Sequence, residues 1–190
     1  MNAAISVIAE HGLSDLTLSK VAKRAGLTAG MVNFHFETKQ DLLDATLYRQ
    51  LASMNCSIAA AIEQGAGSPT ATLSAFVEHA FDPDVFSPEK LAALQAFWGA
   101  SSSRPDYLKA CAASADGFET AISEQLGRLA AIEGKTIDLT VAALGLIGLI
   151  DLMWWRVMLG GLSIEGAKQN CLRYLANHFP EYAGEFGIAR

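Results

Sequence analysis

Cysteine is scarce in this chain, and Cys56, Cys111 and Cys171 are odd in number and share no metal-ligand spacing. That argues against a secreted disulfide framework and leaves three reduced core or surface thiols. The histidines, His11, His35, His79 and His178, are equally dispersed, with neither an HExxH helix nor a Cys/His cluster, so no metal and no cofactor is expected. No positively charged start is followed by an apolar run, which removes a signal peptide and makes the cytoplasm the default address. Uninterrupted apolar runs of bilayer length are missing too. The best candidate, from Leu139 to Ile150, meets Asp151 and then Arg156, which favours a buried helix and no membrane. Nor is there a nucleophile with an adjacent base, a metal set or a glycine-rich phosphate loop, so an enzyme working in this chain is disfavoured.

What is present is apolar and lightly charged: 51% hydrophobic against 18% charged residues over 190, with a formal net charge of -6. Such a chain builds one large or two small domains and has a sizeable core or a buried subunit contact. The charge is unevenly placed. Within residues 1–50, Lys20, Lys23, Arg24, Lys39 and Arg49 balance Glu10, Asp15, Glu37, Asp41 and Asp44, so the negative excess lies entirely beyond them.

Strand-like alternation, internal repeats and low-complexity runs are all absent, and the punctuation is that of helices. Ala3 to His11 is apolar at helical spacing. A long helix runs from Lys39 to about Gln64, where Gly65-Ala66-Gly67-Ser68-Pro69 breaks it and Ser68 with Pro69 starts another. Ser87-Pro88-Glu89 repeats that start for a helix through about Ala100, and Pro105 opens a long helix ending near Glu133-Gly134. Segments from about Thr136 to Leu159 and from Ser163 to His178 are separated by Gly160-Gly161 and closed by Pro180. The expectation is an all-α chain with a helix-turn-helix domain at 1–46 and a helical ligand-binding and dimerisation domain at 47–190.

The helix-turn-helix expectation rests on Thr17 to Lys39. Leu18, Val21, Ala22 and Ala25 form a buried stripe, with Ser19, Lys20, Lys23 and Arg24 on the other faces. Gly26 ends that helix in a left-handed conformation, and Thr28 caps the next almost at once. The second helix runs to about Phe36, with Val32 and Phe36 inward and Gly30, Met31 and Asn33 outward, where they can enter a major groove. Thr38 and Asp41 form a capping box that places Lys39 in a helical first turn. A cation there opposes the helix dipole at a cost of up to about 1 kcal/mol unless an anion such as a DNA phosphate is near.

This run, with its Ala25-Gly26 turn, Phe34-His35-Phe36 and Lys39, resembles the DNA-binding segment of the tetracycline-repressor (TetR) family. Asn33 departs from the family pattern, which often has a phosphate-touching aromatic residue there; an amide can instead read adenine. The basic turn usually placed before the first helix is also missing from the start of this sequence. The resemblance implies a double-stranded DNA operator read by Thr17, Ser19, Lys20, Thr28, Ala29, Gly30, Met31, Asn33, Phe34, His35 and Lys39, with Thr17, Lys20 and Lys39 on phosphates. It also implies a homodimer, here expected through the last two helices, where Gly145 and Gly148 permit either close subunit approach or packing inside one subunit.

Asp151-Leu152-Met153-Trp154-Trp155-Arg156 sets two tryptophans three and four residues after an acid, whereas Arg156 points away from Asp151. Aromatic rings beside a carboxylate suit a quaternary ammonium, at about 0.5 to 2 kcal/mol per ring. Ala96-Phe97-Trp98 before Ser101 to Pro105, and Leu149-Ile150-Asp151 before Trp154 and Arg156, resemble the choline-responsive repressors of betaine synthesis within that family. That resemblance implies a small-molecule effector held by Trp98, Asp151 and Trp154, with Trp155, Phe97 and Tyr107 as further candidates. The other reading makes Phe97 and Trp98 core and Asp151 a cap or a partner of another helix. The expected function is a ligand-responsive repressor acting as a dimer on a palindromic operator; the alternative is a helical small-molecule-binding protein that does not read DNA.

Overall fold

A computed structural model describes residues 1–188; Ala189 and Arg190, the end of the expected second domain, lie outside the described residues. The helices are α1 (Asn2–His11), α2 (Leu18–Ala25), α3 (Ala29–His35), α4 (Lys39–Gln64), α5 (Pro69–Ala80), α6 (Pro88–Ser101), α7 (Pro105–Glu133), α8 (Leu139–Met158) and α9 (Ile164–His178). A short 3-10 turn, Pro180–Tyr182, was not foreseen from sequence. Helix α8 starts later than the apolar pattern suggests because Asp138, not Thr136, is its cap, accepting a hydrogen bond from the Val141 N–H at 3.1 Å. Ser68, Ser87 and Ser163 cap α5, α6 and α9 in the same way.

The chain forms two compact units, and neither is continuous in sequence: Met1–Met54 joins Phe86–Ser114, and Asn55–Val85 joins Ala115 onward. The helix-turn-helix therefore shares a unit with α6 and the first turns of α7. Its core runs through Ile5 and Ile8 of α1, Leu16, Val21 of α2, Leu42, Leu43 and Leu47 of α4, Leu94 and Phe97 of α6 and Tyr107 of α7. Leu16, wholly buried in the loop before α2, went unrecognised in the sequence, and Ala25, expected inward, is exposed because α2 ends there. Ser6 of α1 donates to the Glu89 carboxylate of α6 at 2.9 Å, and the Gln50 amide donates to the Lys90 carbonyl.

In the second unit α5 is buried on most faces, and Phe76 meets Phe118 of α7 edge-on at 6.0 Å. Helices α8 and α9 pack antiparallel. The Tyr174 hydroxyl of α9 donates to the Ala142 carbonyl at 3.0 Å, and it lies where a side chain on Gly145 would stand, 2.1 Å from an added Cβ. Gly145 thus serves packing inside one subunit, whereas nothing lies within 4 Å of a Cβ at Gly148. Asp151 and Arg156 do not cut α8 short: it is long and apolar enough to cross a membrane by length and composition, yet only 33% of its apolar window is buried. Its outer face is a stripe of exposed Val141, Leu144, Leu152, Trp155 and Leu159, so the expected buried helix is buried on one side only.

Gly145→Ala is expected to displace the Tyr174 ring and break its bond to Ala142, lowering stability by about 1 to 3 kcal/mol. Gly148→Ala is expected to leave the fold of the subunit unchanged. Chemical denaturation of the two variants distinguishes them, and equal midpoints would contradict this packing.

Candidate functional site

Two short helices and one tight turn create the outward face of the first unit. Gly26 adopts φ 69° and ψ 25°, and the following Leu27 N–H donates back to the Ala22 carbonyl at 2.9 Å, which closes α2 with no room for another turn. Thr28 then caps α3, its hydroxyl oxygen accepting from the Met31 N–H at 3.3 Å. Val32 alone in α3 is buried and anchors the helix, while Ala29, Gly30, Met31, Asn33, Phe34 and His35 are exposed. Phe36 is half-buried just past the helix end, in extended backbone. Phe34 stands 86% exposed, its ring edge-on to His35 at 5.4 Å between centroids.

Three of the cations around this face, Lys20, Arg24 and Lys39, are held by the protein itself. Thr17 caps α2 by accepting from the Lys20 N–H at 3.2 Å, and the Lys20 ammonium donates to the Asp15 carbonyl at 2.9 Å. Lys39 donates to the Ser14 carbonyl of the same loop. The capping box is present, with Thr38 N–H to the Asp41 carboxylate at 2.9 Å and Asp41 N–H to the Thr38 hydroxyl at 3.1 Å. The dipole conflict expected for Lys39 is therefore relieved by a backbone oxygen, without any outside anion. Ser19 is exposed beside them. Arg24 pairs with Glu10, and this guanidinium holds the exposed Glu10 carboxyl below its usual range. Lys23 and Arg49, which sequence reasoning counted only as charges, make no ion pair among the described residues; exposure on the head is the one signal that marks them.

The effector candidates divide between the two units. In the first, Phe97 is core and meets Tyr107 edge-on at 5.5 Å, while Trp98 is 45% exposed and its indole N–H donates to the Cys111 sulfur. Burial raises the Cys111 thiol above its ordinary range despite that bond. Tyr107, 3% exposed, sends its hydroxyl into a polar cluster at the start of α4. It donates to Asp44 at 2.8 Å and accepts from the Gln40 amide at 2.7 Å and from Arg104 at 3.2 Å, with the guanidinium 5.0 Å above its own ring. Gln40 further bonds Asp44 and Arg104. Desolvation first, then the Asp44 carboxylate, pushes the Tyr107 phenol above its ordinary value.

In the second unit the two tryptophans part. At about 100° per residue they flank the Asp151 direction on opposite sides. Trp154 turns into the core, 4% exposed, its indole donating to the Ala80 carbonyl at 2.8 Å and its ring stacked on Phe81 at 5.2 Å. Trp155 turns outward into the apolar stripe. The grouping of both rings around one carboxylate, expected from spacing, gives way because the core of this unit takes one of them. Asp151 has no ion-pair partner among the described residues; solvent reaches it, but the apolar surface around it desolvates its carboxyl and raises it above the usual range.

A family profile described as bacterial regulatory proteins, tetR family, matches residues 1–46, and one described as BetI-type transcriptional repressor, C-terminal, matches residues 69–180. The chain is 30% identical to a transcriptional regulator BetI of Cronobacter sakazakii over 88% of its length and 83% of the relative's. It is 28% identical to the BetI regulator of Escherichia coli over 95% of this chain and 92% of that one. Among solved structures, a protein described as a transcriptional regulator from Pseudomonas aeruginosa superimposes with TM-score 0.76 at 25% identity, covering 97% and 90% of the two chains. One from Saccharomonospora viridis, solved in complex with choline, gives TM-score 0.75 at 19% identity over 94% and 93%.

Replacing Tyr107 by Phe is expected to cost about 1 kcal/mol, the net worth of a hydrogen-bonded hydroxyl. The raised phenol contributes stability that is complete below the ordinary tyrosine value of about 10 and is lost as pH rises through its folded value. Unfolding free energies of wild type and Tyr107→Phe should therefore converge above that pH; a constant difference would contradict the cluster's role.

Proposed function

Since this chain belongs to the TetR family of bacterial regulators and carries a BetI-type C-terminal region, we propose that it is a repressor that binds a palindromic operator as a dimer and whose DNA affinity is set by a small cation such as choline. The observation that carries the DNA side is α3, exposed over all but Val32 and held by a glycine turn and a threonine cap in a unit with its own core. A hairpin built only for packing has no use for that much exposed surface.

Dimerisation follows from charge and from α8. A head whose five cations in residues 1–50 are matched by five carboxylates has little net attraction for phosphate, so one head alone binds weakly. Two heads about 34 to 36 Å apart meet successive major grooves on one side of a duplex. The outward stripe of α8, from Val141 to Leu159, is the surface that a second subunit covers, with Gly148 leaving space for its approach. Trp155 belongs to that stripe and so serves subunit contact before it serves an effector. A cytoplasmic address accords with work on DNA.

The choline assignment draws support from the aromatic and acidic candidates and from the ligand of the Saccharomonospora viridis structure. Trp98 in the first unit and Asp151 in the second are the candidates left open to a cation. Effector acts by differential affinity: if it favours a conformation whose heads are wrongly spaced, it lowers operator affinity. The neutral charge balance of the head also favours a second reading, a small-molecule-binding protein that does not read DNA.

Binding to DNA upstream of its own gene is expected to be specific, to fall steeply with salt, and to change on adding choline or betaine aldehyde. Absence of any specific complex would favour the second reading. Isothermal titration of choline into Trp98→Ala and Asp151→Asn tells which residue meets the cation; unchanged heats in both would remove the quaternary-amine assignment. Leu152→Glu is expected to give a folded monomer by sedimentation that no longer binds operator, whereas a dimer of unchanged affinity would exclude the α8 interface.

A further inference from the structure

The reading helix has no guanidinium and no ammonium. Guanine is recognised in the major groove chiefly by arginine or lysine reaching its O6 and N7 atoms, and α3, Ala-Gly-Met-Val-Asn-Phe-His, carries neither. The cations nearest it in sequence are Arg24, bound to Glu10, Lys39 and Lys20, each bound to a backbone carbonyl, and Lys23, exposed and without an ion pair among the described residues; all four lie outside α3, which suits them to phosphates. What α3 does offer is one amide and two large apolar side chains. The Asn33 side chain is exposed and makes no hydrogen bond among the described residues, so its donor and its acceptor are both free for the N7 and N6 edge of adenine. Met31 and Phe34, three residues apart on one helix face, are 52% and 86% exposed. The apolar feature of a major groove is the thymine methyl group.

Gly30 adds an independent argument. A side chain there would come no closer than 4.0 Å to the Thr28 hydroxyl, so nothing inside the protein requires a glycine, although glycine weakens a helix. Its missing Cβ leaves open space on the outward side of α3, where a base edge or the wall of a groove can come close to the backbone.

We infer that α3 reads a half-site rich in A·T pairs, with Asn33 bonded to an adenine edge, Met31 and Phe34 covering thymine methyls, and Gly30 giving the clearance for that approach. This inference rests on the DNA-binding reading above. It makes the operator's base composition a property of these four side-chain positions, independent of the phosphate-contacting lysines.

The test begins with selection of binding sites from random duplexes by the full-length protein, followed by affinity measurements on the selected site. Contiguous A·T pairs are expected at the positions read. Replacing a contacted thymine by deoxyuridine, which removes only the methyl group, should weaken wild type several-fold and leave Phe34→Ala indifferent. Asn33→Ala should lose about 10- to 100-fold at one adenine and accept other bases there. Both substitutions are on exposed positions, and circular dichroism checks that each variant remains folded. A selected site with G·C at the contacted positions, or one for which deoxyuridine and Asn33→Ala change nothing, overturns the inference while leaving specific DNA binding intact. If no sequence is selected at all, the DNA-binding reading falls and this inference with it.

Discussion

The hydroxyl group of Tyr107 joins the two kinds of packing that hold the first unit together. Its ring lies in the hydrophobic core against Phe97, and its oxygen ends among Gln40, Asp44 and Arg104, beside the first turns of α4. Those turns begin at the Thr38–Asp41 capping box, immediately after α3. Helix α3, the start of α4 and the α6–α7 corner are thus one packed body, and a cluster of partly desolvated hydrogen bonds tolerates few alternative arrangements. Any displacement of α6 or of the α7 start must either carry the head with it or break this cluster. That coupling between α6–α7 and the helices of the head lies inside the first unit.

The second constraint is electrostatic. Lys20 and Lys39 donate to the carbonyls of Asp15 and Ser14, which stiffens the loop between α1 and α2, and the five cations of residues 1–50 are matched by five carboxylates, which leaves little net positive potential. A lysine that meets a phosphate exchanges a neutral oxygen for a charged one, a gain made only at contact, while the balanced charge of the head provides little attraction from afar. Specificity and spacing then matter more than bulk charge. The exposed α3, without lysine or arginine, and the exposed apolar stripe of α8 suit the proposed dimeric repressor.

Much of this was legible in the sequence because helices announce their ends. Serine before proline, Thr28, the Thr38–Asp41 box and Gly26 each correspond to an observed cap or turn, since these residues satisfy orphan backbone groups by local geometry alone. What escaped was whatever depends on distant partners. Spacing put Trp154 and Trp155 near one acid, but only the packing of Phe81 and the free carbonyl of Ala80 decide that Trp154 goes inward. Gly145 and Gly148 look alike in the chain, and Tyr174 separates them. The expectation set a boundary after residue 46; the compact unit that holds the head runs through Met54 and takes in residues 86–114, because Leu94, Phe97 and Tyr107 complete its core.

Linkage gives the account its sharpest test. If an effector alters operator affinity through this body, operator must alter effector affinity by the same factor, on the order of 5- to 150-fold for typical couplings. The measurement is the dissociation constant of choline for the full-length protein, taken alone and then saturated with its operator duplex, beside the operator affinity with and without choline. Two equal factors that differ from one are expected; choline binding that is indifferent to bound operator would contradict the coupling.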